Sequence, residues 1–332
     1  MRKKFYSFSS IDETELNSED WYLSQKNYVA IVIPVRDRPD LLTRVLAALT
    51  VQDVGVENFE VLVCDDGSAM DPKPVVESFL RAIPNLKILG QKARGPAAAR
   101  NLGIREAKAP IIIFLDSDTL PDPAMVRHLA TALEQNQDWV GAEAKIESLA
   151  TKGNPLWDGP ICQNGGRYHT AAIAYRRDAL MLAGGLDETF TLPACEDVEL
   201  AMRILSRGTI GFVPEAVVYH PSRRVNLGLH WRWRRYWKYE MVLAKRYGIL
   251  GFPEHSAGRF PRLRVALAAV VTLPGGRLLD ACKHLRRNIG EAFRASLYAL
   301  FDVLCGLTAL PEIIFSPIPP RKNFLENLNQ QI

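Results

Sequence analysis

The sequence predicts an α/β fold in which a mostly parallel β-sheet is covered by helices on both faces. Short apolar runs alternate with segments whose apolar residues recur at helical spacing, which is typical of a parallel sheet. The apolar runs are rich in β-branched residues, as expected of strands buried on both faces. With 332 residues, 48% of them hydrophobic, the chain is long enough to bury such a core.

The predicted elements follow one another in regular order along the chain. Proline suits the first turn of a helix, so Gly95-Pro96 predicts that a helix begins there. Residues 196–205 predict a further helix because Leu200 and Ile204 recur at helical spacing. The predicted strands are residues 28–35, 59–64, 86–89 and 111–115, and the helices between them are residues 41–49, 75–83 and from 96 onward.

Three of the predicted strands end in aspartates. Asp37 follows the first strand, Asp65 and Asp66 end the second, and Asp116 and Asp118 follow the fourth. In open parallel sheets, ligands bind beyond the carboxyl ends of the strands, so these acids indicate one shared site. The sequence has no GxGxxG after the first strand and no GxxxxGK[ST], which argues against dinucleotide and P-loop sites.

Asp116 and Asp118 would lie on the same face of an ideal strand, where like charges repel. One interpretation is a turn that faces water, because aspartate and proline are common where strands end. The other is a divalent cation held between the carboxylates. Spacing alone leaves both interpretations open.

A second group of acids lies at the start of the predicted helix at 196–205. Glu196, Asp197 and Glu199 fall in its first turn, where the helix dipole favours negative charge. A purely structural first turn is therefore one interpretation. The alternative is that one of these carboxylates faces a cleft as a general base, with Glu199 supporting the start of the helix.

Charge divides the chain near residue 220. Up to that point 23 lysines and arginines stand against 30 acidic residues, whereas residues 221–332 contain 18 basic and 7 acidic residues. We therefore expect a polar N-terminal segment at 1–27, a main domain at 28–220 and a basic, aromatic-rich helical extension at 221–332. The extension predicts an anionic partner, and nothing in the sequence indicates nucleic acid.

Five cysteines without metal-ligand spacing favour a reducing compartment. The N-terminus lacks the apolar segment of a secretory signal. The longest run without a charged residue, 265–276, has 12 residues and is too short to cross a bilayer. We therefore expect a cytoplasmic protein, either soluble or peripheral on the inner face of the cell membrane.

Residues 277–300 predict a basic amphipathic helix that docks on an anionic membrane surface. Tryptophans and tyrosines alternate with cations at 231–239, a mixture suited to a headgroup interface. Alternatives are that the apolar side packs onto the main domain, or that the charge serves an acidic acceptor or a partner protein. The cations are Lys283, Arg286, Arg287 and Arg294, and the apolar residues are Leu285, Ile289, Phe293 and Leu300.

Six segments of residues 28–220 together resemble the inverting glycosyltransferases of family 2, in that family's order. They read VAIVIPVRDRP, EVLVCDDGS, GPAAARNLGI, IIIFLDSD, GGLDETF and CEDVELAMR. The resemblance implies a GT-A fold, with a nucleotide-sugar half at 28–125 and an acceptor half at 126–220. It also implies Mn²⁺ or Mg²⁺ as cofactor and a nucleoside-diphosphate sugar as donor, UDP being the commonest nucleotide. The acceptor would be a glycan, a lipid-linked sugar or a small molecule, and the missing QxxRW motif implies non-processive transfer.

The resemblance also assigns roles to individual residues. Asp118 would be the direct metal ligand, with Asp116 beside it and His220 completing the site, although a lone histidine is often structural. Asp197 would be the catalytic base, with Glu196 as the alternative base. The residues implied to bind the nucleotide-sugar are Pro34, Asp37, Asp65, Asp66, Arg100, Asp116 and Ser117.

Two alternatives keep the fold and change the function. A sugar-1-phosphate nucleotidylyltransferase would need a glycine-rich loop after the first strand, and residues 36–39 contain no glycine. A catalytically silent nucleotide-sugar-binding scaffold is the other alternative, and the intact acids at 116, 118, 196 and 197 argue against it.

Overall fold

A computed structural model describes residues 28–148, 154–284 and 288–322; the predicted N-terminal segment lies outside these ranges. The strands are β1 (Val29–Val35), β2 (Phe59–Asp65), β3 (Leu86–Gly90), β4 (Ile111–Leu115), β5 (Leu120–Pro121), β6 (Trp139–Ser148), β7 (Trp157–Asp158), β8 (Ala172–Arg176), β9 (Thr209–His220), β10 (Arg223–Arg224), β11 (Ile249–Leu250) and β12 (Phe252–Ser256). The helices are α1 (Pro39–Leu49), α2 (Lys73–Phe79), α3 (Pro96–Glu106), α4 (Met125–Gln135), α5 (Arg177–Ala183), α6 (Glu196–Ile204), α7 (Leu227–Trp233), α8 (Trp237–Tyr247), α9 (Pro261–Leu267), α10 (Leu273–His284) and α11 (Ile289–Phe315).

Eight strands form one sheet in the order β3-β2-β1-β4-β8-β6-β9-β5. The first four are parallel, which puts their carboxyl ends at one edge of the sheet. β8 runs antiparallel to both β4 and β6, and β9 runs parallel to β6. Both predicted halves of the main domain therefore contribute strands to the same sheet.

Helices cover both faces of the sheet because alternate residues of each strand point to opposite sides. In β1, Ile31 and Ile33 pack with α1 and α4, whereas Val32 packs with α3 and α6. The predicted fold class is confirmed, and the predicted strands agree with the observed ones to within a residue at each end.

The extension begins after β9 and is helical, as expected. α9 and α10 are joined by a π-helical segment at Ala268–Thr272, and α11 packs antiparallel against them. Arg262, near the start of α9, donates to the carbonyl of Ile313 at 3.1 Å, near the end of α11. We refer to α9, this segment, α10 and α11 as the helical hairpin.

The prediction of one continuous helix over residues 277–300 is wrong. Asn288 has an extended backbone (φ −157°, ψ 103°), and its side chain accepts the N–H of Glu291 at 3.1 Å, so it caps the start of α11. The helix of residue 277 is thus separate from the helix of residue 300. Leu285, Arg286 and Arg287, part of the predicted amphipathic face, lie outside the described residues.

The expectation that no segment is long and apolar enough to span a membrane is also wrong. Among the described residues, two helical segments meet the length and composition required, Pro261–Lys283 and Ile289–Phe315. A search for charge-free runs misses them because charged residues interrupt both segments. Arg277 in the first and Asp302 in the second pair with each other.

Candidate active site

The acids that follow β4 meet the end of β9 at the edge of the sheet. One ligand atom each from Asp116, Asp118 and His220 lies within 4.8 Å of the other two. Asp118 Oδ1 is 3.3 Å from His220 Nε2. β5, which follows the two acids, pairs with β9 so that Leu120 lies opposite Tyr219, and this pairing brings His220 to the acids. The structure thus brings together the three residues predicted to hold a metal.

The tautomer of His220 suits metal binding. Its Nδ1 is 2.9 Å from the carbonyl oxygen of Pro221, and a carbonyl can only accept, so Nδ1 carries the proton. In the neutral ring Nε2 then carries the lone pair that a metal would use, whereas in the charged ring its N–H donates to Asp118. Two carboxylates and one imidazole nitrogen are a donor set that fits Mn²⁺, whereas Mg²⁺ favours oxygen ligands and water.

Asp118 and His220 shift each other's pKa. Burial opposes the ionisation of Asp118, but the hydrogen bond and charge of His220, with Arg38 farther off, hold the pKa of Asp118 below its ordinary value. Burial likewise opposes the charging of His220, but the hydrogen bond and charge of Asp118 raise the pKa of His220. Each group therefore favours the charged form of the other.

Arg100 joins this acidic edge to the start of α6. Its guanidinium, on α3, donates to Asp116 Oδ1 at 2.6 Å and to Glu196 Oε1 at 3.2 Å. Only 3% of Arg100 is exposed, so both hydrogen bonds are shielded from water. The guanidinium of Arg100 offsets part of the charge of Asp116 and leaves the other carboxylate oxygen of Asp116 available.

Glu196 and Asp197 have different environments although they are adjacent. Glu196 is 3% exposed and its Oε2 has no hydrogen-bond partner among the described residues, whereas the side chain of Asp197 is half-buried. Burial and the neighbouring Asp197 raise the pKa of Glu196 to about 8, against the opposing charge of Arg100. Glu196 therefore carries a proton at neutral pH, and Asp197 is the better placed of the two to accept one.

His169 lies beside Asp197 and is absent from the sequence-based predictions. Its Nδ1 is 3.4 Å from Asp197 Oδ2. The preceding turn is held by Glu143, a buried acid of β6 that accepts backbone N–H groups from Gly166, Arg167 and Tyr168 at 2.6 to 2.9 Å. The available signal was a lone histidine in the acceptor half, and nothing in its spacing links it to residue 197.

Asp37, Asp65 and Asp66 also lie at this edge, and each holds a loop. Asp37 Oδ1 accepts the N–H of Ala69 at 2.5 Å, and Asp65 Oδ1 accepts from both the N–H and the hydroxyl of Ser68. Asp66 is buried and accepts backbone N–H groups from residues 94 and 95, which fixes the start of α3. Pro34, the next-to-last residue of β1, and Ser117, between the two metal-site acids, lie at the same edge. Nucleotide binding by these residues stays a prediction.

Glu199 has a structural role, as the sequence suggested. It is fully buried and accepts from Arg203, Tyr247 and Arg321. Arg321 belongs to the segment that follows α11 and returns to the main domain. Glu199 is thus an ion-pair centre that ties the extension to α6.

A cavity of about 550 Å³ lies between the main domain and the helical hairpin. The register of β7 with β10 puts Trp157 opposite Arg224, four residues after His220. Behind it, buried His230 contacts Asp302, which also pairs with Arg277. The residues that line the cavity are Asn154, Pro155, Trp157, Asp158, Val225, His230, Trp233, Arg277, Asp280 and Lys283.

Residues 30–173 match the family model described as Glycosyl transferase family 2. The chain is 29% identical over 214 residues to the pre-mycofactocin glycosyltransferase of Mycobacterium tuberculosis, covering 59% of this chain and 43% of that protein. It is 33% identical over 121 residues to the glycosyltransferase AglE of Haloferax volcanii, covering 36% of this chain and 40% of that one. The chain therefore aligns with less than half the length of these relatives.

Solved structures show the same fold at low sequence identity. The mannosyltransferase PcManGT from Pyrobaculum calidifontis, solved with GDP-Man and Mn²⁺, has a TM-score of 0.59 at 17% identity and covers 87% of this chain and 88% of that one. S. aureus TarS 1-349, solved with UDP-GlcNAc, has a TM-score of 0.53 at 16% identity and covers 83% of this chain and 90% of that one.

The sheet and the helices on both of its faces form the GT-A fold of these solved structures, with the acids at the carboxyl edge of the sheet. Residues 30–173 match the family 2 glycosyltransferases in sequence. The fold prediction is confirmed, and this match supports the predicted family and enzyme class.

Proposed function

We propose that the protein transfers a sugar from a nucleoside-diphosphate sugar, with UDP as the first choice, to an acceptor hydroxyl with inversion at the anomeric carbon. One observation carries the proposal: buried Arg100 contacts both Asp116 and Glu196. These two acids are near neighbours of Asp118 and Asp197, so one side chain links the acids that suit a metal to the carboxylate that suits a base.

Asp116, Asp118 and His220 would hold the metal, and Mn²⁺ fits their donor set better than Mg²⁺. When bound, the cation acts as a Lewis acid that neutralises charge on the departing diphosphate. Arg100 orients Asp116 for this role, and its own charge adds to the positive potential at the leaving group. Pro34, Asp37, Asp65, Asp66 and Ser117 would form the nucleotide-binding edge.

Asp197 would act as the general base. A carboxylate oxygen of Asp197 takes the proton from the acceptor hydroxyl. As it does so, the acceptor oxygen bonds to the anomeric carbon, and the bond from this carbon to the diphosphate oxygen breaks. His169, 3.4 Å from Asp197 Oδ2, would hold the carboxylate in position. Glu196, protonated at neutral pH, would act through Arg100 rather than as a base.

The cavity beside Trp157 is the proposed site for the part of the acceptor that does not react. An extended chain of four residues spans at most about 14 Å, so Arg224, opposite Trp157, lies within that reach of His220. The lining charges balance, with Asp158 and Asp280 against Arg277 and Lys283. Two indole rings and balanced polar groups favour a neutral carbohydrate over a highly charged ligand.

We also propose that the enzyme works in a reducing compartment, on the inner face of the cell membrane, with an anionic surface near the extension. All five cysteines are free thiols in the structure, which agrees with a reducing compartment. Non-processive transfer rests on the missing QxxRW motif alone, because the extension does contain long apolar helices.

A nucleotide-sugar panel tests the proposed function. We expect thermal stabilisation by one of UDP-, GDP- or dTDP-sugars that depends on Mn²⁺, and slow release of free sugar from the same donor. NMR of the anomeric proton in the first transfer product then reports inversion. Retention of configuration, or stabilisation that is equal with and without Mn²⁺ for every donor, would contradict the proposal.

A further inference from the structure

The helical hairpin buries small side chains and exposes large ones. Along α11, Leu297 and Leu300 are 48% and 60% exposed, whereas the intervening Ala299 is 2% exposed. A helix that packs onto a water-soluble domain shows the reverse arrangement. The buried residues of α11 include Ala292, Ala295, Ala299, Cys305, Gly306 and Ala309, and the exposed ones include Ile289, Phe293, Leu297, Leu300, Leu304 and Leu307.

The part of the hairpin that packs against α11, from α9 to α10, shows the same arrangement. Leu263 and Leu279 are 59% and 64% exposed, whereas Ala269 and Ala281 are buried. α11 and the π-helical segment approach so closely at Gly306 that a Cβ there would lie 2.3 Å from the carbonyl oxygen of Ala269. Contacts between small residues, with large apolar residues outside, are typical of helices whose outer face meets lipid.

α11 is nevertheless attached to the rest of the protein at its start, in its middle and after its end. Near the start, Asn154 donates to Glu291 at 3.0 Å, and in the middle Asp302 contacts His230 of α7. After the end, the backbone N–H of Lys322 donates to Asp187 at 3.0 Å. A helix that crosses a membrane has its ends on opposite sides of about 30 Å of hydrocarbon, so this attachment is incompatible with crossing.

We propose that the helical hairpin lies in the plane of a membrane, with its large apolar side chains among the lipid acyl chains and the main domain in water. The length and apolarity of the hairpin helices then serve to contact the membrane along its surface rather than to cross it. Arg264 and Arg294 are exposed next to this face, and Trp231 is partly exposed beneath Arg234, as suits an anionic headgroup layer. The inference does not depend on the proposed sugar transfer.

Flotation in a density gradient with the full-length protein tests the docking, because aggregates sediment whereas vesicle-bound protein rises. Vesicles of phosphatidylcholine alone and with phosphatidylglycerol are used at low and at high salt. We expect flotation with both, a larger floated fraction with phosphatidylglycerol, and retention of most binding at high salt. Failure to float with either composition, or complete release by salt, would overturn the proposal.

Paired variants assign the docking to the hairpin. Leu300→Asp with Leu304→Asp should lower the floated fraction at least tenfold. The matched control, Leu80→Asp with Leu182→Asp, changes two exposed leucines of the main domain and should float like the unaltered protein. The unfolding temperature of each variant, compared with that of the unaltered protein, serves as the check of folding. Equal flotation of the two double variants would overturn the proposal, as would a stable dimer of the unaltered protein that buries this face.

Cysteine labelling separates an in-plane hairpin from a spanning one. Cys282 is exposed in the hairpin, so the background variant carries Cys282→Ser, and the other four cysteines are buried or half-buried. Gly290→Cys and Ser316→Cys introduce a thiol at each end of α11. When the protein is added to sealed vesicles, a membrane-impermeant maleimide should label both sites at similar rates. Protection of one end alone would show that the helix crosses the bilayer and would overturn the in-plane arrangement.

Discussion

His220 Nε2 lies 3.3 Å from Asp118 Oδ1, although Asp118 lies near the middle of the domain sequence and His220 at its end. β4 delivers the aspartate and β9 the histidine, and the short strand β5 joins the two by pairing with β9. Because Nδ1 of His220 donates to the carbonyl of Pro221, the nitrogen that faces Asp118 carries the lone pair when the ring is neutral. This geometry suits a bound cation.

Asp118→Ala should abolish the Mn²⁺-dependent stabilisation by UDP. In the unaltered protein, a ligand at 100 times its Kd stabilises the fold by about 2.7 kcal/mol, which a thermal-shift assay detects. The variant should unfold at the same temperature with and without Mn²⁺ in the presence of UDP. Asp138→Ala, which removes an exposed acid in the turn before β6, should keep the full metal response. A metal response in Asp118→Ala equal to that of this control would disprove the metal site.

Asp197→Asn should lower kcat by about 10²–10⁴-fold, because the amide keeps the shape of the carboxylate and cannot accept the acceptor's proton. The Kd for UDP with Mn²⁺, measured by calorimetry, should stay unchanged. Asp178→Asn makes the same chemical change at an exposed position at the start of α5 and should keep normal turnover. Loss of UDP binding with unchanged turnover of bound donor would identify Asp197 as a binding residue.

Glu196 should make stability depend on pH between about 4.5 and 8. In the unfolded chain its carboxyl ionises near 4.5, whereas in the folded protein it keeps its proton up to about 8. The unfolded state thus binds fewer protons in this window, so the contribution of Glu196 is fully present below pH 4.5 and is lost as pH rises to 8. Urea unfolding of Glu196→Gln should match the unaltered protein at pH 4.5 and exceed its stability at pH 8.5. Parallel curves over this range would contradict the raised pKa.

The strands and the acidic edge were predictable because both depend on local patterns. An apolar, β-branched run such as residues 111–115 can hardly form anything but a buried strand, and the parallel order then gathers Asp37, Asp66 and Asp116 at one edge. His220 was found through the resemblance, since only the pairing of β5 with β9 brings it to Asp118. Sequence spacing carries no information about such a long-range pairing.

His169 and the face of the hairpin were not predictable for different physical reasons. His169 reaches Asp197 because the buried carboxylate of Glu143 holds the preceding turn. The sequence does not indicate which backbone N–H groups a lone acid in a strand will bind. In α11, periodicity separates Ala299 from Leu297 and Leu300 but does not say which side faces the protein. The sequence left two alternatives, an apolar side that faces a membrane or one that packs onto the main domain, and in the structure the alanine is buried and the leucines are exposed.

Trp157→Ala should raise the KM for the acceptor about tenfold, since removing an aromatic anchor from a binding cavity costs more than about 1 kcal/mol. Trp157 is 41% exposed, so its removal should leave the fold intact, and hydrolysis of the donor in the absence of acceptor should not change. Trp231→Ala is the matched control, because Trp231, in α7 of the extension, is similarly exposed at 42% and does not line the cavity. With a water-soluble acceptor, only Trp157→Ala should alter the KM. An equal rise in both variants would point to general loosening of the extension, and no rise in either would show that the acceptor binds elsewhere.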